Sequence, residues 1–173
     1  SSGNVNRVCN KIIDKYGYPD FIVNNAATLD LKNLEDFKLD EISSAFKINI
    51  LAPMQICKNF IQGFKNRKSG SIVNICSSSA YNGGGTSGHT VYASTKHALL
   101  GFSRALDEEV RNFNIRVSTL SPAGVATDMV KNRKNLDPNS MMSPAEVADA
   151  VLYLLKLQGK GIVYEMRMWR MLR

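Results

Sequence analysis

The sequence predicts an α/β protein built on a doubly wound, mostly parallel sheet, and three observations carry that prediction. Short apolar runs rich in Ile and Val alternate with longer segments of helical periodicity. The apolar runs are nearly continuous, as strands covered on both faces require. Small and polar residues gather directly after the first three runs, where open parallel sheets bind ligands.

The elements follow in order. A helical stretch over about 4–16 ends at Tyr16-Gly17, a natural C-terminal stop, and "DFIVNN" at 20–25 reads as the first strand. A long helical pattern spans about 38–64 with Pro53 inside it, and "SIVNIC" at 71–76 is the second strand. Another helix is expected over 92–112, then the strand "IRVSTLSP" at 115–122. The last helix, 144–157, carries its own start signal. Ser143 can cap it, Pro144 suits the first helical position and Glu146 completes a capping box. "GIVYEMRMW" at 161–169 is the fourth strand. The connections 80–90 and 127–143 are long enough to serve as lids over a site.

The bulk composition bounds the function. At 173 residues, 44% hydrophobic and 21% charged, the chain is expected to form one domain, 1–173, with a real core. Three cysteines, Cys9, Cys57 and Cys76, lack paired spacing, which argues against a disulfide framework or a zinc site and for a reducing compartment. No apolar run is long enough to span a bilayer and no signal-peptide profile opens the chain, so a cytoplasmic location without membrane partners is expected. The net charge of +7 and pI near 9.4 raise nucleic-acid binding. The basic residues are spread in small clusters and no nucleic-acid motif accompanies them, so attraction for a phosphate-bearing ligand is the better reading.

The stretch "VYASTKHALL" holds the sharpest chemical signal. Tyr92 and Lys96 stand four apart, a little over one helical turn, so phenol and ammonium share a face. A cation held there favours the phenolate and draws the phenol down from its usual value of about 10, towards a usable proton donor and acceptor. Asn49 carries an independent signal. Pro53 lacks the N–H that would bond the carbonyl four residues back, so a kink is expected that frees the Asn49 oxygen to hold a water.

With these residues in view, the chain resembles the short-chain dehydrogenase/reductase family. "NNAA" at 24–27 is similar to the family's Asn-Asn-Ala-Gly after its fourth strand, with Ala27 in place of glycine. "VNICSSSA" resembles its fifth strand and catalytic serine, "YASTK" its Tyr-x-x-x-Lys, and "SPAGVATDM" its Pro-Gly segment with a downstream threonine. The resemblance implies a Rossmann-like fold, hydride transfer between NAD(P) and a carbonyl or secondary alcohol, and a set of roles. Tyr92 is the acid/base, and Lys96 tunes it and holds the nicotinamide ribose. Asn49 is a link in a water-mediated proton relay. Asn24 and Ala26 lie beside the adenosine ribose, and Val125 and Thr127 contact the carboxamide. For the serine that steadies the substrate oxygen, counting from the strand selects Ser77 and counting back from Tyr92 selects Ser79. Strand geometry favours Ser77, since lengthening the Gly-rich loop by two residues disturbs little. Ala123 stands where the family usually has glycine after proline, which is tolerable only if φ is negative. His89 and His97 are read as a loop residue and an exposed helical position, and no metal is expected.

The resemblance covers the C-terminal two-thirds of the family fold, with the N-terminal strands missing. No Gly-x-x-x-Gly-x-Gly follows a strand, so the turn that cradles the pyrophosphate is not in this sequence. The family's reader of the ribose 2′ position falls outside it too; NADP is favoured over NAD without a residue to decide it. A parallel sheet lacking those strands is expected to expose an apolar edge. The tail "GKGIVYEMRMWR" looks more like the branch acting on small hydroxy acids, amino-acid derivatives or assorted carbonyl compounds than like acyl-carrier-protein reductases. The family implies a homodimer or homotetramer paired through its two long helices. The competing expectation is a non-catalytic fragment serving as an oligomerisation or binding module.

Overall fold

A computed structural model describes residues 2–81, 87–130 and 140–171, so parts of both expected lid loops, 82–86 and 131–139, lie outside the described residues. Among the described residues, five α-helices and four strands follow one another as α1 (Ser2–Tyr16), β1 (Phe21–Asn24), α2 (Leu39–Phe46), a π turn (Lys47–Leu51), α3 (Ala52–Arg67), β2 (Gly70–Ile75), α4 (Thr90–Val110), β3 (Ile115–Pro122), α5 (Pro144–Lys156) and β4 (Glu165–Met168). The strands form one sheet in the order β1-β2-β3-β4, parallel throughout.

Register and period explain the layers. Ile22 pairs with Ile72, and Ile72 with Val117, so these side chains share one face of the sheet. They meet Cys9 of α1, Phe60 and Phe64 of α3, and Leu106 and Val110 of α4 in the larger core. Val73 and Leu120 point the other way and pack with Leu154 of α5. Helices on both faces are therefore observed, three on one side and α5 on the other.

Local chemistry sets the element ends. Ser143 and Glu146 form the expected capping box: the Glu146 N–H donates to Ser143 Oγ at 3.3 Å, and the Ser143 N–H donates to Glu146 Oε2 at 2.6 Å. At Gly63, a Cβ would meet the Tyr18 ring at 2.0 Å, so only glycine lets the loop after α1 lie on α3. The final strand is shorter than the 161–169 expectation, because pairing with β3 runs only from Thr119–Glu165 to Pro122–Met168.

Where the kink is expected, the helix changes its turn and runs on without a gap. The helical pattern 38–64 divides into α2 and α3 around the π turn, where the Ala52 N–H donates to the Lys47 carbonyl five residues back. Pro53, next in the chain, has no N–H to offer Asn49, and a wider turn is how the helix absorbs the missing bond. Both sheet edges bear exposed residues. On β1, Phe21 is 54% and Val23 38% exposed, which matches the expected apolar edge.

Candidate active site

The site assembles at the carboxyl ends of the strands. Asn49 is held by the π turn and is 1% exposed. Its Oδ1 accepts the Thr28 N–H at 2.8 Å, and its Nδ2 donates to the Thr28 carbonyl at 2.9 Å and to Thr95 Oγ1 at 3.0 Å. Thr95 Oγ1 donates to the Tyr92 carbonyl at 2.7 Å. One amide thus links the exit of β1, the π turn and the first turn of α4. The side chain of Asn49 is committed to this clamp, so a relay through Asn49 falls to its main-chain carbonyl.

Tyr92 and Lys96 face each other as their spacing requires, with Lys96 Nζ 5.6 Å from the centre of the Tyr92 ring. Lys96 is fully buried and donates to the Ile75 carbonyl at the end of β2, at 2.8 Å. Burial pushes its ammonium down to about 8. The cation is therefore held by geometry at some electrostatic cost. Cys76 itself is pushed up to about 12 by burial, and Cys57 to about 11, so both are protonated thiols, not nucleophiles. All three cysteines are buried and unpaired.

The start of α4 is fixed by the residues before it. Gly88 adopts φ +82°, and a Cβ there would also press on the Lys32 backbone at 3.3 Å, so glycine is required on both counts. His89 then caps the helix, its carbonyl accepting the Ala93 N–H at 2.7 Å. Its ring is buried and meets the Tyr92 ring edge-on, with centroids 6.4 Å apart. A loop histidine in the sequence is thus a neighbour of the candidate acid/base in the structure; His97 is exposed, as expected.

Ser77 and Ser79 are both buried just beyond β2. Ser77 is extended and its Oγ accepts the Ser79 N–H at 3.1 Å, capping the short turn Ser78–Ala80. That turn is tied to the last strand. Tyr81 donates to Glu165 Oε2 at 2.9 Å, and Glu165 Oε1 accepts from Arg104 of α4 at 2.6 Å. The Arg104 guanidinium holds the Glu165 carboxyl below its usual range.

Asn24 turns inward. Its Nδ2 donates to Asn74 Oδ1 at 2.7 Å, and Asn74 Nδ2 donates to Ser103 Oγ at 2.8 Å, a polar chain from β1 through β2 to α4. Asn24 Oδ1 is buried without a partner. Ala26 is exposed just past β1. Val125 and Thr127 are half-buried on a strap after β3, where Val125 bridges to Met142 ahead of α5. Ala123 is not among the described residues with positive φ, so alanine is tolerated there.

Sequence reasoning missed Thr28, Thr95 and the Tyr81–Glu165–Arg104 tie. Only Thr95 left a trace: a threonine three residues after Tyr92 in a helix can bond its carbonyl. Among the described residues no His, Cys, Asp and Glu cluster could hold a metal, and no helix is long and apolar enough to cross a membrane.

A parallel sheet with a helix-borne tyrosine and buried lysine at its open end defines a Rossmann-type α/β protein. Comparison with known proteins names the family. The short chain dehydrogenase model matches residues 1–137, and the chain belongs to that family. It is 34% identical over 152 residues to carbonyl reductase family member 4 of Xenopus laevis, covering 84% of this chain and 64% of that relative. It is 36% identical over 146 residues to human 3-oxoacyl-[acyl-carrier-protein] reductase, covering 81% of this chain and 61% of the relative. The chain thus spans less than two thirds of these relatives' length. Its fold is like that of an alcohol dehydrogenase from Thermococcus sibiricus complexed with 5-hydroxy-NADP, with a TM-score of 0.86 at 24% identity over 97% of this chain and 70% of that one.

Proposed function

We propose that this chain is the catalytic domain portion of an NAD(P)-dependent oxidoreductase that interconverts a carbonyl and a secondary alcohol in the cytoplasm. The observation that carries the proposal is the Tyr92–Lys96 pair, with the buried ammonium anchored on Ile75 at the open end of the sheet. Reductase and dehydrogenase names among the relatives support the reading, and the archaeal structure's 5-hydroxy-NADP supports the cofactor class. The residues present fit the nicotinamide-ribose end of such a cofactor. Lys96 spends one of its three N–H groups on Ile75, which leaves donors for ribose hydroxyls. Val125 and Thr127 offer backbone and hydroxyl groups for a carboxamide, and the main chain of Asn24 and Ala26 for the adenosine ribose.

When bound, the reduced nucleotide supplies the hydride. Tyr92 gives its phenolic proton to the substrate oxygen in reduction and takes it back in oxidation, while Lys96 stabilises the phenolate between the two. Ser77, whose Oγ accepts the Ser79 N–H, donates its own O–H to the substrate oxygen, and the Asn49 carbonyl holds the water that returns a proton to the pair. NADP is the favoured nucleotide. The substrate class is small carbonyl compounds, and the named relatives make an acyl thioester with a 3-oxo group the other candidate.

A second reading rests on a different observation. Ile48, Leu51 and Met54, three residues apart along the π turn and α3, are 40%, 48% and 40% exposed, a stripe suited to pairing with a second copy. In that reading the chain is a non-catalytic oligomerisation module. Titrating NADH and NADPH against this chain and against a form extended at its N-terminus by a glycine-rich nucleotide-binding segment separates the two. Nucleotide fluorescence enhancement, followed by turnover of a carbonyl panel, is expected with the extended form. No binding by either form would remove the oxidoreductase reading.

A further inference from the structure

We infer that Thr95 is a positioning residue for Tyr92: its hydroxyl locks the helical turn that bears the phenol to the Asn49 amide, and through it to the Thr28 backbone at the exit of β1. The inference rests on the proposed oxidoreductase reading and adds to it a residue that neither the motif nor its spacing assigns.

The hydroxyl is used in both senses. It donates to the Tyr92 carbonyl at 2.7 Å and accepts from Asn49 Nδ2 at 3.0 Å. The second Nδ2 hydrogen goes to the Thr28 carbonyl at 2.9 Å, and Asn49 Oδ1 takes the Thr28 N–H at 2.8 Å. Thr95 and Asn49 are fully buried, so water does not compete for these bonds. The consequence is geometric. Tyr92 lies in the first turn of α4, where a helix is least constrained by its own ladder, since the first N–H groups have no partner within the helix. Lys96, the next residue after Thr95, is already moored to Ile75 on β2. Thr95 supplies the complementary mooring, to β1 and the π turn, and the two fix the phenol relative to the strand exits.

Residue type follows from this. Serine keeps both bonds and loses a methyl. Valine keeps the shape, neither donates nor accepts, and leaves one Asn49 N–H buried without a partner. A merely structural threonine would show in stability alone, whereas a positioning one shows in the behaviour of Tyr92.

The test compares wild type, Thr95→Ser and Thr95→Val in two ways. In the nucleotide-binding form, Thr95→Val is expected to lower kcat by roughly 10- to 100-fold with KM for the nucleotide nearly unchanged, and Thr95→Ser to retain wild-type kcat. In this chain without nucleotide, tyrosine carrying ¹³C at Cζ reports Tyr92 by NMR, assigned by its loss in Tyr92→Phe. Its resonance and titration curve are expected to move in Thr95→Val and to stay in place in Thr95→Ser. Equal kcat and an unmoved resonance in Thr95→Val would overturn the inference, as would Thr95→Ser behaving like Thr95→Val. If wild type shows no turnover, the oxidoreductase reading falls and the resonance decides Thr95 by itself. Should Thr95→Val fail to fold, Thr95→Ala takes its place in both measurements.

Discussion

The strand exits and the β1 edge of this molecule contrast sharply. At the exits, Asn49, Thr95 and Lys96 are buried polar groups, each with a bond to another element: Asn49 to Thr28, Thr95 to Asn49 and Lys96 to Ile75. At the edge, Phe21 and Val23 present apolar side chains to solvent. The bonds of Lys96, Thr95 and Asn49 tie the start of α4 to β2, to the π turn and to the exit of β1. The edge, by contrast, is where the family resemblance would add the strands and the glycine-rich turn that bind the pyrophosphate. The difference teaches that the two regions are held by different means: the exits by buried hydrogen bonds between residues distant in the chain, the edge by side chains left in solvent.

Substitutions can break or sharpen that contrast, and the largest effect belongs at the exits. Tyr92→Phe in the nucleotide-binding form is expected to fold, bind nucleotide as wild type does, and lose about 10²- to 10⁴-fold in kcat. Steady-state kinetics beside nucleotide titration would check it, and retained turnover would take Tyr92 out of the mechanism.

Lys96 comes next, read through pH. Its folded value of about 8 lies below the ordinary 10.5. Between those values the unfolded chain holds more protons, so stability rises with pH through that window, and the penalty is fully present below it. The shift corresponds to about 3 kcal/mol. Urea unfolding from pH 7 to 10.5 should show a rise in wild type that is missing in Lys96→Met, the difference between the two isolating this group from other titrations. Parallel profiles would contradict a buried ammonium.

A smaller change is expected at the tie between the serine turn and β4. Tyr81→Phe removes the donor to Glu165 and should lower stability by about 1 kcal/mol in urea unfolding. Loss of kcat without loss of stability would instead place Tyr81 at the substrate. The smallest effect is expected at the edge. Val23→Lys should shift stability by no more than about 0.5 kcal/mol and reduce self-association in light scattering. A large loss of stability would show that the edge is packed in solution, and would narrow the contrast.

Much of this was legible in the chain's letters. Apolar runs around Val23, Val73 and Val117 announced strands, and Ser143, Pro144 and Glu146 announced α5, because both signals depend on residues within one turn or one strand of each other. The Tyr92–Lys96 pair was legible for the same reason: four residues of helix place them. Asn49 was legible in part. Pro53 foretold the break, since a missing N–H is a covalent fact, but the side chain's grip on Thr28 and Thr95 joins residues 21 and 46 positions away. His89 read as a loop residue because nothing local says that a loop will bury its ring on Tyr92.

What the sequence determined by itself, then, is everything with a short period: the order of elements, their caps, the break at Asn49 and the shared face of phenol and ammonium. Backbone geometry maps such spacings directly into space. The tertiary structure decided which long-separated groups meet. It put Lys96 on the Ile75 carbonyl, Thr95 on the Asn49 amide, and Glu165 on Tyr81. Those pairings follow from stacking α4 on a parallel sheet whose strands are far apart in the chain, and no local pattern encodes which buried donor will find which acceptor.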